Sequence, residues 1–335
     1  MNLVQKTVQQ GGKLRPLIIP ASVTGGTGLM NPSPFVDDDG DILLILRHIN
    51  YTLYHAENNQ RFPSIWGPLS YLHPEKDQRL VTTNYLCRLD KDYNIINYTQ
   101  IDTSQLDVVP IWTFVGMEDA RLVKWQGKYY GTGVRRDTTT NGVGRMELQE
   151  LEIDKKNWTA KEVSRVRIEA PIDKDSYCEK NWMPILDRPF QYVKWTSPTE
   201  VVKADSKKGT SQQLYVKEGI KSPTDQRGGS QVFKWGDYYV AFTHEVVLFK
   251  NYLKQKNGTY RHRLCVWNES FELVGLSESF SFLDGQIEFV CGAASLGDKV
   301  IVTFGFQDNA AFVLEIPKEL MDKMVEESIG VHANN

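Results

Sequence analysis

Hydrophobic residues recur along the chain in short runs that turn residues separate. The runs are rich in Val, Ile, Tyr, Phe, Trp and Thr, and Asp-Gly, Gly-Asp, Asn-Gly and Lys-Asp pairs lie between them. β-Branched and aromatic residues favour strands, and such pairs favour tight turns between antiparallel strands. One segment, PKELMDKMVEESIG from Pro317 to Gly330, instead has the spacing of an amphipathic helix. The pattern therefore predicts an all-β chain with a short C-terminal helix.

The strand pattern also repeats as a unit. Each unit opens on small or charged residues and continues through an apolar strand, a turn and a second strand. Five segments fit this scheme, the third of them loosely, at 31–48, 119–134, 180–202, 229–244 and 292–308. In three units a further strand pair follows the first, at 84–102, 146–166 and 261–280. Units of about 40–60 residues with four strands each are typical of β-propellers.

We therefore expect a single five-bladed β-propeller domain over residues 1–335. The blades are expected at roughly 30–105, 116–168, 178–217, 226–282 and 286–316. The N-terminal residues and the last helix are expected to pack on the outside of the propeller. The alternative is a β-sandwich or a two-domain β protein.

Composition restricts the classes of function. Hydrophobic residues make up 41% of the chain and aromatic residues 11%, which excludes a disordered or fibrous protein. The net charge of -3 argues against nucleic acid or an anionic membrane as a partner. Because the chain has no run of about 18 apolar residues and no signal-peptide pattern, we expect a cytoplasmic protein. The four cysteines and six histidines show no metal-site spacing, so we expect neither a metal nor another cofactor.

The openings of the five units carry the candidate chemistry. The first strand of each propeller blade lines the central channel, so these openings converge there. Four of the five openings are charged, at 118–121, 180–182, 227–230 and 286–289, and the other, at 31–33, is polar. Clustered carboxylates and cations shift one another's pKa values and can bind and protonate a polar ligand such as a sugar. The structural alternative is simple pairing, of Glu118 or Asp119 with Arg121 and of Lys180 with Glu179.

A family resemblance rests on the segment GMEDARL, residues 116–122. It resembles the Glu-Asp-Pro-Arg signature of the five-bladed propeller family of β-mannoside phosphorylases and mannosidases. Four other segments agree in order over roughly residues 30–315: NPSP with LLILRH, EKNW, RGGSQVF with the strand that ends at His244, and FGFQDNAAFV. The chain departs from the family at Ala120, where the family has proline, and in its THE and VCGAA segments. The resemblance is that of a distant relative.

The resemblance implies a set of site residues. It implies that Asp119, beside Glu118, is the general acid of an inverting reaction and reaches the glycosidic oxygen through a sugar hydroxyl. Together with the unit openings, it gives ten candidate contacts to sugar or phosphate. They are Asn31, Arg47, Arg121, Arg136, Lys180, Asn181, Arg227, His244, Glu288 and Asp308.

These residues favour a carbohydrate-active enzyme. We expect it to act on mannosides or related glycosides and to transfer a glycosyl group to or from phosphate or an activated donor. The donor would be a sugar phosphate or a nucleotide sugar, for which the arginines and lysines of the set supply positive charge. Related propellers are implied to transfer mannose, so a mannosyltransferase is included in this expectation.

Two other functions stay open. A hydrolase would use water and needs a second carboxylate as base, for which Glu245, Glu288 and Asp308 are candidates. A non-catalytic carbohydrate-binding propeller would need only aromatic faces such as those of Trp112, Trp182 and Trp195. A long insertion at 55–79 is expected either to shape the acceptor side of the site or to form a contact in a homo-oligomer.

Overall fold

The computed structural model describes residues 1–51, 79–171, 178–250 and 256–333. In this part of the chain strands dominate, which confirms the all-β prediction. The insertion predicted at 55–79 lies outside the described residues, except for Arg79. No helix in the described ranges is long and apolar enough to cross a membrane.

The N-terminal residues form two short helices and one edge strand. Helix α1 (Leu3–Gln9) begins at a capping box, in which the Asn2 side chain accepts a hydrogen bond from the Gln5 amide at 2.9 Å. Strand β1 (Lys13–Pro16) pairs antiparallel with the last strand of the chain, and helix α2 (Ala21–Thr24) follows it. The N-terminal segment is thus built into a sheet, which the sequence pattern does not predict.

The other strands form five antiparallel groups that follow one another along the chain. The first and second groups belong to the same sheet. The first group contains β2 (Leu29–Val36), β3 (Ile42–Ile49), β4 (Leu80–Leu89) and β5 (Ile95–Asp102), with β6 (Phe114–Val115) parallel to β4. The second group contains β7 (Glu118–Trp125), β8 (Lys128–Arg135), β9 (Arg145–Asp154) and β10 (Thr159–Ile168), with a 3₁₀ turn at Thr140–Gly142. A short parallel pairing of β5 with β10 joins the two groups into a nine-stranded sheet.

Three four-stranded sheets contain the remaining strands. The third group is β11 (Met183–Pro184), β12 (Gln191–Trp195), β13 (Thr199–Ala204) and β14 (Ser211–Lys217). The fourth is β15 (Phe233–Trp235), β16 (Tyr238–Lys250), β17 (Lys256–Trp267) and β18 (Leu273–Leu276). The fifth is β19 (Glu288–Leu296), β20 (Lys299–Phe306) and β21 (Ala310–Pro317), completed by β1. Helix α3 (Lys318–Ala333) follows, which confirms the predicted C-terminal helix and extends it beyond Gly330.

Glycine allows the tight turns between the first two strands of several groups. Gly127 lies between β7 and β8 with φ at 77°, and Gly236 lies between β15 and β16 with φ at 57°. A side chain would be strained in this left-handed conformation, so these turns depend on glycine. The hairpins that the sequence predicts at 119–134 and 229–244 are therefore confirmed.

Apolar clusters lie between successive groups and close a ring. Leu43 of the first group packs with Leu122 of the second, and further clusters join the second group to the third, the third to the fourth and the fourth to the fifth. The last cluster returns to the start, because Leu44 of the first group packs with Val313 of the fifth. Helix α3 adds Leu320 to the cluster between the fourth and fifth groups. Each group is thus held by apolar packing on both sides.

Candidate functional site

Irregular backbone marks the openings of the first two groups. Asn31 and Asp119 have φ of 46° and 51°, and the register of β2 with β3 and of β7 with β8 shifts at these residues. Asn181, just before β11, also has a left-handed φ of 61°. Bulges and left-handed residues other than glycine redirect side chains and cluster at functional sites. Three sequence-predicted residues therefore share one unusual conformation at equivalent positions.

Asp119 lies at the centre of a buried hydrogen-bonded cluster. Its Oδ1 accepts hydrogen bonds from Arg47 Nη1 at 2.8 Å and from Asn31 Nδ2 at 2.7 Å. The Arg47 Nε donates to the hydroxyl of Thr82 at 3.1 Å, a partner that the sequence analysis does not predict. Burial would raise the pKa of Asp119, but Arg47 and the Asn31 hydrogen bond outweigh it and hold the pKa below its usual value. Asp119 is therefore a carboxylate in the ligand-free protein.

Glu118 joins the same cluster through two arginines. Its Oε2 is 3.5 Å from Arg47 Nη2, and its Oε1 is 3.4 Å from Arg136 Nε. Arg136 also donates to the Gly142 carbonyl at 3.0 Å and contacts Cys178 Sγ at 3.0 Å. Arg47 thus interacts with the carboxylates of both Glu118 and Asp119, and Arg136 interacts with Glu118 as well.

Asp308 lies near the same cluster, but its pKa is raised, whereas the pKa of Asp119 is lowered. It follows β20 with a left-handed φ of 49°. Burial raises its pKa to about 6, Arg47 opposes the rise, and the carboxylates of Asp119 and Glu118 add to it. The carboxyl groups of Glu118, Asp119 and Asp308 therefore interact electrostatically, and Asp308 holds its proton more tightly than Asp119. Carboxyl groups whose pKa values are pushed apart in this way are suited to acid and base roles.

Two exposed cations lie near these residues, Lys180 beside the Asp119 cluster and Arg227 beside His244. The charge of Lys180 lowers the pKa of both Asp119 and Asp308, although its side chain is exposed. Arg227 is also exposed and lies 3.1 Å from the carboxylate of Asp225. A solvent-facing cation next to buried carboxylates can bind an anionic substrate without a large desolvation cost.

His244 is a neutral imidazole at the edge of this group. Burial lowers its pKa well below the usual value, and the charges of Lys180 and Arg227 add to the effect. Its Nδ1 lies 3.0 Å from the Gly228 carbonyl, so Nδ1 carries the proton and Nε2 is an acceptor. The ring stacks on Tyr260 with the centroids 5.7 Å apart. His244 can therefore accept a hydrogen bond from a sugar hydroxyl.

Two tyrosines belong to the site although the sequence analysis does not select them. Burial raises the pKa of Tyr260 to about 12, and the charges of Asp308 and Asp119 add to the rise. Burial also raises the pKa of Tyr51, whereas the nearby Arg47 lowers it. Both phenols therefore keep their protons and can donate hydrogen bonds. Tyr260 could be found from its position two residues before the cross-strand partner of His244, once the register of β16 with β17 is known.

Arg121, expected as a sugar or anion contact, directs its guanidinium to acceptors within the protein. Its side chain is completely buried, with Nε donating to the Gly229 carbonyl at 2.7 Å and Nη1 to the Asp119 carbonyl at 2.9 Å. Its Nη2 donates to Asn181 Oδ1 at 3.4 Å. Arg121 and Asn181 therefore tie the openings of the second, third and fourth groups together.

Gln231 is a second tie, and the sequence analysis does not select it. Its Nε2 donates to Ser33 Oγ at 2.8 Å and to the Leu122 carbonyl at 2.9 Å, and its Oε1 accepts from the Ala293 amide at 3.0 Å. Hydrogen bonds of Gln231 and Arg121 together reach the first strand or opening segment of all five groups. We refer to Arg121 and Gln231 as the hub.

Two candidate carboxylates have structural partners instead. The carboxylate of Glu288 accepts hydrogen bonds from the backbone amides of Phe282, Leu283 and Gly285 at 2.6–2.8 Å, so it does not join the Asp119 cluster. The carboxylate of Glu245 accepts from Gln226 Nε2 at 2.7 Å and from other side chains around it. Asp308 is the one of the three expected base candidates that faces Asp119.

In the described ranges no group of three or more His, Cys, Asp and Glu side chains is placed to hold a metal ion. Trp182 is buried and donates to Glu179 at 3.0 Å, so its face is not open to a sugar.

Comparison with known proteins identifies the fold. No protein-family model and no curated protein sequence matches the chain. The β-1,2-mannobiose phosphorylase of Listeria innocua, solved with β-1,2-mannobiose, matches with a TM-score of 0.54 at 13% identity over 93% of both chains. A glycosyl hydrolase from Bacteroides ovatus matches with a TM-score of 0.57 at 10% identity, over 88% of this chain and 85% of that one. The chain has the fold of these proteins, and its resemblance to the mannoside phosphorylases is confirmed as a distant structural one.

Proposed function

We propose that the chain is a single five-bladed β-propeller domain whose blades are the five strand groups. The boundaries at roughly 30–105, 116–168, 178–217, 226–282 and 286–316 follow these groups. Two observations support the proposal: apolar clusters join each group to the next, and hydrogen bonds of the hub reach all five groups. The Asp119 cluster would then lie at one mouth of the central channel.

We further propose that the protein is a carbohydrate-active enzyme acting on mannosides or related glycosides. It transfers a glycosyl group to or from phosphate or an activated sugar donor. The observation that carries this proposal is the Asn31–Asp119–Arg47 cluster, in which a buried ionised carboxylate faces a second carboxyl, Asp308, with a pKa of about 6. The named activities of the two structural neighbours are consistent with this chemistry.

Asp119 is the catalytic residue in this proposal, acting as general acid through a hydroxyl of the bound sugar. Because Arg47 holds its carboxylate ionised, Asp119 first accepts a hydrogen bond from that hydroxyl. An anionic second substrate that binds near Arg47 offsets the positive charge of this guanidinium and raises the proton affinity of Asp119, which then takes up a proton from solvent. In the reaction the sugar hydroxyl passes its proton to the glycosidic oxygen and receives the proton of Asp119. At the same time a phosphate oxygen attacks the anomeric carbon, and the bond from that carbon to the leaving sugar breaks. Glu118 contributes by sharing Arg47.

Phosphate or a sugar phosphate binds on the solvent side of the cluster. Lys180 and Arg227 are exposed there, and both influence the pKa of His244, so the three side chains lie near one another. Arg136 is a further cation, although Glu118 takes part of its charge. The exposed cations Lys180 and Arg227 favour phosphate over water as the second substrate.

Asp308 is the second candidate for the proton donor, because its pKa is raised and that of Asp119 is lowered. The pH profile of kcat/KM separates the two, since it reports pKa values of the free enzyme. With Asp308 as donor, kcat/KM is level below about pH 6 and falls above it. With Asp119 as donor, it falls steadily across the whole range from pH 5 to 8.

The proposed function is tested by incubating the protein with mannobioses and inorganic phosphate and measuring mannose 1-phosphate. We expect phosphate-dependent release of the sugar phosphate, and the reverse reaction from mannose 1-phosphate with mannose as acceptor. Release of free mannose without phosphate would establish the hydrolase instead. Binding without turnover on any mannoside, in either direction, would favour the carbohydrate-binding propeller.

A further inference from the structure

The turn that carries Asp308 has an unusual backbone. It joins β20 to β21, and its two central residues, Gln307 and Asp308, have left-handed φ of 54° and 49°. The Asn309 amide closes the turn by donating to the Phe306 carbonyl at 3.1 Å. Turns with two left-handed residues favour Asn-Gly, and residues with larger side chains keep this conformation only where their surroundings hold it. Contacts of the turn must therefore hold Gln307 and Asp308 in place.

Gln307 makes two hydrogen bonds to one residue, Ile287. Its backbone amide donates to the Ile287 carbonyl at 2.7 Å, and its side-chain Oε1 accepts from the Ile287 amide at 3.2 Å. Glu288 and Phe306 form the last pair of the β19–β20 ladder, and Ile287 and Gln307 lie next to this pair. The side-chain oxygen thus replaces the carbonyl that a continuing strand would offer to the Ile287 amide, and the backbone of Gln307 is free to turn left-handed.

Ile287 is a firm attachment point for the turn. Its side chain is buried and packs in a cluster with Met30 and Tyr51 of the first group. Tyr260 packs against the same cluster. Gln307 therefore ties the turn to packed side chains that include the two tyrosines of the site.

The orientation of Asp308 follows from this attachment. Because Asp308 is the next residue in the chain, the backbone held at Gln307 sets the direction in which the Asp308 side chain leaves the turn. The carboxyl group placed in this way interacts with the charges of Arg47 and Asp119. We propose that Gln307 is a positioning residue, whose side-chain oxygen holds the turn so that the Asp308 carboxyl lies near Arg47 and Asp119. Its part in catalysis rests on the proposed function, but the placement of Asp308 does not.

Variants of Gln307 separate the hydrogen bond from the strain of the turn. Gln307→Gly removes the side chain and tolerates a left-handed φ, whereas Gln307→Met keeps the length and removes only the acceptor. Gln307→Glu keeps an oxygen that can accept from the Ile287 amide. The matched control is Gln126→Met, because Gln126 is an exposed glutamine with a left-handed φ of 52° in the β7–β8 turn, at the opposite end of β7 from Glu118.

The experiment measures the pKa of Asp308 in the ligand-free protein from its carboxyl ¹³C chemical shift, with Asp308→Asn to assign the signal. Burial is the main cause of the raised pKa of about 6. We expect Gln307→Gly and Gln307→Met to lower the pKa of Asp308 towards the ordinary value of about 3.9, because the carboxyl moves towards water. Gln126→Met should leave this pKa unchanged. Gln307→Glu should keep it at or above the wild-type value, because the acceptor is retained and the added charge has the same sign.

An Asp308 pKa that stays at the wild-type value in Gln307→Gly would overturn the proposal, even with a lower melting temperature, and leave Gln307 as a structural link to Ile287. A wild-type pKa already near 3.9 would overturn it too. If Gln307→Gly does not fold by circular dichroism, Gln307→Met decides in the same way.

The titration reports the placement of the carboxyl because its charged surroundings stay the same in Gln307→Gly and Gln307→Met. The charged and titratable groups that interact with Asp308 are Arg47, Glu118, Asp119, Lys180, Tyr51 and Tyr260. Because the measurement needs no substrate, its result is independent of whether the proposed function is right.

Discussion

Two buried arginines, Arg47 and Arg121, contact Asp119 and differ in the groups that they bind. Arg47 meets carboxylates, with Asp119 at 2.8 Å and Glu118 at 3.5 Å. Arg121 meets neutral acceptors, the carbonyls of Asp119 and Gly229 and the side-chain oxygen of Asn181. The guanidinium that holds the carboxylates belongs to the Asp119 cluster, and the one that holds the backbone belongs to the hub.

The difference shows how a specific motif can combine two functions. In GMEDARL, Asp119 directs its side chain to the cluster and its carbonyl to Arg121. The hub therefore fixes the backbone whose left-handed φ of 51° directs the Asp119 side chain towards Arg47 and Asn31. Changes in the cluster should affect catalysis more than stability, and changes in the hub should do the reverse.

The largest expected effect is on catalysis, for Asp119→Asn. The variant keeps an oxygen that accepts from Arg47 and Asn31 but loses the titrating proton, and loss of general acid catalysis costs about 10²–10⁴-fold in rate. We expect such a loss of kcat with mannoside and phosphate as substrates, in a protein that folds normally by circular dichroism. Near-normal turnover would assign the proton to Asp308 and reduce Asp119 to a partner of Arg47.

The next effect is on stability, for Arg121→Met. The change leaves two carbonyls and the Asn181 oxygen buried without a donor, at about 1–3 kcal/mol each. We expect the free energy of unfolding to fall by about 3 kcal/mol or more in urea denaturation. The matched comparison is Lys180→Met, whose side chain is exposed and which should change stability by less than about 0.5 kcal/mol. Equal effects in the two variants would contradict the division between hub and cluster.

The smallest effect is a pH-dependent gain of stability, for Asp308→Asn. The folded pKa of Asp308 is raised to about 6, so ionising it costs stability, and the cost appears as the pH rises from the unfolded pKa near 4 to about 6. The variant carries no such cost. After a discount for partial exposure, we expect it to gain about 1–3 kcal/mol relative to the wild type above pH 6, and no comparable gain at pH 4. A gain that does not change between pH 4 and 7 would show that Asp308 titrates normally.

Sequence patterns predict the local hairpins well because a hairpin depends on neighbouring residues. The strands of 119–134 and the charged opening at Glu118 and Asp119 can be recognised from one segment. Strand β1 cannot be recognised from one segment, because it pairs with a strand at the other end of the chain, with Lys13 opposite Glu315.

The composition of the site shows the same limit. Asn31, Arg47 and Asp308 come together as expected from the unit openings and the family resemblance. Tyr51, Tyr260 and Gln231 are missed, because their places depend on cross-strand register and on closure of the ring. The burial of Arg121 is missed for a similar reason, since its acceptors come from three separate groups.

The central claim is that the Asp119 cluster binds the sugar and that the exposed cations beside it bind phosphate. A crystal structure of the protein soaked with mannose and phosphate tests it most directly. We predict sugar density within hydrogen-bond distance of Asn31, Asp119 and Asp308, and anion density between that sugar and Lys180 or Arg227. Sugar and phosphate bound only elsewhere, with the Asp119 cluster filled by water, would contradict the account.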